Sequence, residues 1–233
     1  MAKHLDLEEQ EQLDQLKHFW NTWGTLISSV LLVVAGSLAA WQGYQYWQNR
    51  QASQAAALFD AVDVASRAGD QARVAQAFGD LKSKYAGTTQ AAQAGLTVAK
   101  TAVDAGNADA AKEALGWVAE RAGDEGLKAV AKLRLASVLM DQKNYDEALK
   151  QVTGSVPAEF DAVFADRRGD ILVLQGKRAE AVAEYTKAYK GLEEGVEYRR
   201  LVEIKLGALG VAPQGVAVAA ATAPATAPAE GAK

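Results

Sequence analysis

The sequence predicts an all-α protein with a single N-terminal transmembrane helix, a solenoid of about four degenerate helix hairpins, and a disordered Ala/Pro tail. Three observations predict it. A charge-free run of nineteen residues, WGTLISSVLLVVAGSLAAW from Trp23 to Trp41, has membrane length. Between residues 49 and 209 helix-forming residues dominate, and Pro157 is the only proline. Within that stretch a pattern of small and bulky residues returns at intervals of 37, 37 and 33 residues.

The span comes first. At about 1.5 Å per helical residue, Trp23 to Trp41 reaches about 28 Å, close to the ~30 Å hydrocarbon core of a bilayer. No Asp, Glu, Lys or Arg occurs between Lys17 and Arg50, and aromatic residues cluster before the run (Phe19, Trp20, Trp23) and after it (Trp41, Tyr44, Tyr46, Trp47). Such belts suit the headgroup layers on both sides. A cleavable export signal would need a basic start and a small-x-small site. Ser37-Leu38-Ala39 offers the site, but residues 1–18 carry five acids (Asp6, Glu8, Glu9, Glu11, Asp14) against Lys3 and Lys17. A soluble core helix would have no use for interfacial Trp at both ends. The expectation is therefore a retained transmembrane helix over 19–48 behind a short acidic tail, 1–18. Lys3, Lys17 and the amino terminus on one side, against Arg50 and the more distant Arg67 on the other, favour an N-terminus inside. Ser29, Gly36, Ala40 and Gly43 fall on one helical stripe, a surface that another transmembrane helix could approach closely, although Gly and Ser are also ordinary in spans.

Composition narrows the function. Residues 51–233 hold 22 Lys plus Arg and 24 Asp plus Glu, a nearly neutral mixture without the basic stripe that nucleic acid requires. The absence of cysteine removes disulfides, thiolate metal sites and thiol nucleophiles. Both histidines, His4 and His18, precede the span, which leaves the rest of the chain without histidine-based catalysis or a His-rich metal site. GDILVLQGKR, from Gly169, is no phosphate loop, because six residues separate its glycines and Arg178 stands where Ser or Thr should bind magnesium. The carboxylates fall at the spacing of solvated helix faces, and no pair stands out as a tuned acid and base. The expectation is a protein-interaction module with no cofactor, metal or small-molecule substrate.

The repeat organises the chain beyond the span. Apolar residues recur at helical spacing in segments of about 12 to 18, separated by Gly, Asn or Asp. The turns AGNADAAKEAL, QKNYDEALKQV and QGKRAEAVAEY align on Ala111, Ala148 and Ala181. Twelve residues upstream stand Ala99, Ala136 and Gly169; four downstream stand Leu115, Val152 and Tyr185. A weaker copy has Val62, Val74 and Phe78 at the same offsets. Small residues at two facing positions let the helices of a hairpin approach closely, and the arrangement resembles the tetratricopeptide repeat with its period of about 34 residues. The repeat domain is expected over 49–209, with a capping helix near Tyr198 to Leu209 exposing Arg199 and Arg200. Residues 210–233, interrupted by Pro213, Pro224 and Pro228, have too little to bury and read as a flexible tail.

In such repeats the first helix of each hairpin lines a concave face. The aligned positions are Leu96, Lys100, Val103 and Asp104; then Leu133, Ser137, Met140 and Asp141; then Asp166, Asp170, Val173 and Leu174. A groove that grips a terminal carboxylate needs several cations, and only Lys100 qualifies. The mixture of apolar and acidic groups suits a segment of apolar and basic character, or a partner helix. The alternative is that these residues face water without a ligand.

The acidic start, the aromatic-flanked span, a helix running on through RQASQAAALFDAV, the degenerate repeats, the KYAGTTQAAQAGLTVAKTAVDAGN stretch and the closing EIKLGAL together resemble the YfgM family of proteobacterial inner-membrane proteins, over residues 5 to 209. The resemblance implies an ancillary subunit of the SecYEG translocon, with its N-terminus in the cytoplasm and its repeats in the periplasm, working with a membrane-tethered periplasmic chaperone. The remaining readings are an adaptor of another envelope machine, such as outer-membrane or cell-wall assembly, and an envelope enzyme.

Overall fold

The computed structural model describes residues 7–211, with side chains from residue 11 onward, so most of the expected tail lies outside the described residues. The described residues form nine α-helices and one short 3-10 turn, Ala158–Phe160, and divide into two compact units, at Ala56 and Ala57.

The first unit is helical from Leu7 on, within α1 (Leu7–Arg67). One unbroken helix runs from Leu7 through the expected span, so the described part of the acidic stretch is helical. Helix formers throughout and the absence of Gly or Pro before Gly24 give the physical reason. α1 is long and apolar enough to cross a membrane. Within the apolar run two hydroxyls are satisfied by their own backbone, Ser29 Oγ donating to the Thr25 carbonyl at 2.7 Å and Ser37 Oγ to that of Val33 at 2.8 Å. That pairing removes most of the cost of placing them in an apolar medium.

In the second unit the end of α1 is followed by α2 (Gln71–Lys84), α3 (Thr89–Asp104), α4 (Ala108–Arg121), α5 (Glu125–Asp141), α6 (Tyr145–Gln151), α7 (Asp161–Leu174), α8 (Arg178–Gly191) and α9 (Glu197–Ala208). Successive helices pack on one another from α2 onward, and α3, α5 and α7 also touch in sequence, as the first helices of stacked hairpins do.

The hairpins share one turn. Gly69, Gly106, Lys143 and Gly176 have φ of 71°, 74°, 62° and 76°, and their spacings reproduce the intervals of 37, 37 and 33. Each lies just past the first helix, and the next amide reaches back five residues: Asp70 N to Ala65 O, Asn107 N to Ala102 O, Asn144 N to Leu139 O and Lys177 N to Leu172 O, at 2.8 to 3.0 Å. Left-handed backbone stops the helix while satisfying its last carbonyls, which is why glycine fills three of the four places. Asp70 and Asn107 then accept from the amides of Arg73 and Ala110 and start the return helices.

Ala99, Ala111, Ala136, Ala148, Gly169 and Ala181 are all buried where the helices of each hairpin meet. Val62, Val74 and Phe78 are buried as well, so the first hairpin packs with larger side chains. The third hairpin departs from the pattern, because α6 has seven residues where α2, α4 and α8 each have fourteen. Gly154, at φ 115°, and Pro157 end it early. Arg168 closes the exposed helix end, donating from Nη1 to the Val152 carbonyl at 2.9 Å and from Nε to Glu184 at 2.8 Å. In α9, Val202 and Leu206 are buried against Ala165, Leu172, Ala181, Tyr185 and Ala188. Arg200 is exposed as expected, whereas Arg199 lies 4.3 Å over the Tyr189 ring and pairs with Glu194 at 3.4 Å.

Candidate functional site

The concave-face positions separate into two groups once the hairpins are stacked. Toward the ends of the first helices, Lys100, Val103, Asp104, Asp141, Val173 and Leu174 are exposed and Met140 is half-buried. Lys100 is tied to Asp104 at 2.7 Å, which leaves the apolar side chains as the more distinctive part of this surface. Of the remaining positions on α3 and α5, Leu96 is buried, and Leu133 and Ser137 are half-buried, with Ser137 Oγ bonded to the Leu133 carbonyl at 3.0 Å.

Asp166 departs furthest from the expectation of a groove position. It is 1 % exposed, and among the described residues it is the buried charged group of the core. Lys205 Nζ reaches both of its oxygens at 2.8 Å and also Asp170 Oδ1 at 2.7 Å. The Tyr198 hydroxyl donates to Asp166 Oδ2 at 2.5 Å, the Tyr185 hydroxyl donates to Asp170 Oδ1 at 2.8 Å, and Arg167 stands 3.9 Å from Asp170. The cluster thus joins α7, α8 and α9. Two carboxylates face two cations, so its charge balances, and both carboxylates are engaged within the fold. Sequence periodicity missed this because Asp166 and Asp170 have the i,i+4 spacing of an ordinary solvated face. The available signal was Tyr198 and Lys205, two helices further on and seven apart, which places both on one side of α9.

Burial, followed by the bonds to Asp170 and Asp166 respectively, pushes the phenols of Tyr185 and Tyr198 well above the usual tyrosine range. A folded-state pKa above the unfolded value of about 10 means that the native state holds the proton more tightly. This contribution to stability is fully present below about pH 10 and is lost as pH rises beyond it. In an alkaline titration followed by tyrosinate absorbance, both phenols should stay protonated until the domain unfolds. Tyr185→Phe and Tyr198→Phe should each remove amplitude from that late step. Early ionisation of either residue in folded protein contradicts the geometry.

In the span, the side chains of Ser29, Gly36, Ala40 and Gly43 are exposed along one line, and a Cβ added at Gly36 or Gly43 meets nothing within 4 Å.

Comparisons with known proteins place the whole arrangement. A family described as tetratricopeptide repeat-like domain matches residues 17–211. The chain is 35 % identical over 213 residues to a protein of Neisseria gonorrhoeae named ancillary SecYEG translocon subunit, covering 90 % of this chain and all of the relative. Proteins of the same name from Haemophilus influenzae and Escherichia coli are each 29 % identical, over 184 and 190 residues, which is 78 % of this chain in both cases and 89 % and 87 % of theirs.

Proposed function

From the premise that the chain belongs to the tetratricopeptide repeat-like family of ancillary SecYEG translocon subunits, we propose that it sits in the inner membrane with its N-terminus cytoplasmic and its repeats periplasmic, linking the translocon to a membrane-tethered chaperone or to emerging polypeptide. It is a Sec-associated scaffold for protein interaction. The observation that carries the finer reading is the set of apolar side chains, Val103, Val173 and Leu174 exposed and Met140 half-buried, along successive first helices of a domain joined to a membrane-length helix. A stacked array offers such a surface to an extended segment or a partner helix. Binding rather than catalysis is the role we assign, because the carboxylates of Asp166 and Asp170 are engaged within the fold by Lys205, Tyr185 and Tyr198. The stripe of Ser29, Gly36, Ala40 and Gly43 is proposed as a contact for a neighbouring transmembrane helix.

The test is co-purification of SecYEG and of periplasmic chaperones with the full chain in mild detergent. Val103→Glu with Val173→Glu should reduce recovery of the periplasmic partner severalfold while helicity and melting stay unchanged, since both side chains are already exposed. Gly36→Leu with Ala40→Leu should reduce recovery of the membrane partner without affecting insertion. Full recovery with the first pair would move the binding surface off the concave face.

A further inference from the structure

Resting on the cytoplasmic placement of the N-terminus, we infer that the first part of α1, residues 7–18, is a docking helix for a basic cytoplasmic surface of a neighbouring membrane protein. Because α1 runs unbroken from Leu7 into the span, the residues ahead of the membrane have helical phase. Leu13 and Leu16, at a step of three, share one face, and Glu11, Asp14 and His18 share the other. Leu13 is 42 % exposed and Leu16 62 %.

Lipid does not account for that apolar face. At 1.5 Å per residue Leu16 lies about 10 Å and Leu13 about 15 Å before Trp23, further than the roughly 5 to 8 Å depth of a headgroup layer if the helix continues along the normal. Helices that lie on membranes carry Lys and Arg on the polar face. Here residues 1–18 carry five acids against two lysines, and the cytoplasmic leaflet is itself negative. Lys17 does little to change this, being 3.5 Å from Asp14. The complementary surface is one rich in Lys and Arg with an apolar patch, and membrane proteins gather Lys and Arg in their cytoplasmic loops. The helix thus meets its opposite charge on the side where it emerges, with Leu13 and Leu16 supplying the contact that charge alone lacks.

The experiment co-reconstitutes the full chain with SecYEG in nanodiscs containing anionic lipid and measures association by energy transfer at low and high salt. Glu11→Lys with Asp14→Lys should weaken association about tenfold and remove most of its salt dependence. Leu13→Ser with Leu16→Ser should weaken it comparably at both salt concentrations. Circular dichroism and membrane insertion should not change for either pair. Wild-type affinity in both pairs overturns the docking helix and leaves the scaffold reading standing, whereas a wild-type chain that does not associate with SecYEG at all overturns both. A photocrosslinker at Leu16 that reacts only with lipid or with a second copy of the chain also overturns the inference. So does periplasmic labelling of Ala2→Cys in cells, which would reverse the orientation on which the inference rests.

Discussion

Asp166→Ala is expected to lower the stability of the repeat domain by about 3 kcal/mol, at the low end of the range for breaking a buried ion pair. The carboxylate is 1 % exposed and accepts from Lys205 twice and from Tyr198 once. Its removal leaves a cavity and a phenol without a partner. Lys205 keeps Asp170 and its side chain is 23 % exposed, so water recovers part of the loss, which is the reason for the lower figure. The change should loosen α9 in particular, exposing amides of residues 197–208 to hydrogen exchange before those of α3 to α5. Asp170→Ala, at a position that is 20 % exposed, should cost less. The measurement is chemical denaturation of the full chain with exchange read by mass spectrometry. Equal, small effects from both substitutions would show that the cluster is a solvated surface pair.

Gly169→Ala should destabilise by about 1 to 3 kcal/mol, reversing the sign usual for this exchange. Alanine in a helix interior is ordinarily favoured over glycine by about 1 kcal/mol. At Gly169, however, the added Cβ would lie 2.5 Å from both Cδ1 and Cε1 of Tyr185. The ring cannot swing aside freely, because its hydroxyl is bonded to Asp170 and its body is buried in the core shared by α7, α8 and α9. Gly79 provides the control, being helical with nothing within 4 Å of a new Cβ, and Gly79→Ala should stabilise by up to about 1 kcal/mol. Two melting curves decide the matter. A rise in midpoint for both variants would mean that α7 and α8 are not in close contact at this point.

How much of the fold was legible beforehand depended on whether the deciding interaction was local. The span could be read from nineteen charge-free residues between aromatic belts, since membrane length and charge are properties of a single stretch. The hairpin register was legible because each turn needs left-handed backbone at a defined point and each close contact needs small side chains twelve residues apart. Lys143 in the left-handed position was not legible, since there the turn overrides the residue's own backbone preference.

The candidate site was legible as a surface and illegible residue by residue. Which helices stack, with the first helices of successive hairpins side by side, followed from the period alone. Whether a given carboxylate on that helix meets water or a buried cation did not, because its partners come from distant parts of the chain: Tyr198 is 32 residues and Lys205 39 residues beyond Asp166. The sequence by itself therefore determined the membrane helix, the all-α solenoid and its turns, through length, periodicity and backbone preference. Only the tertiary structure decided that Asp166 and Leu96 belong to the packing and Val103, Val173 and Leu174 to the open face, because burial is set by what neighbouring repeats place against a side chain and not by its own spacing.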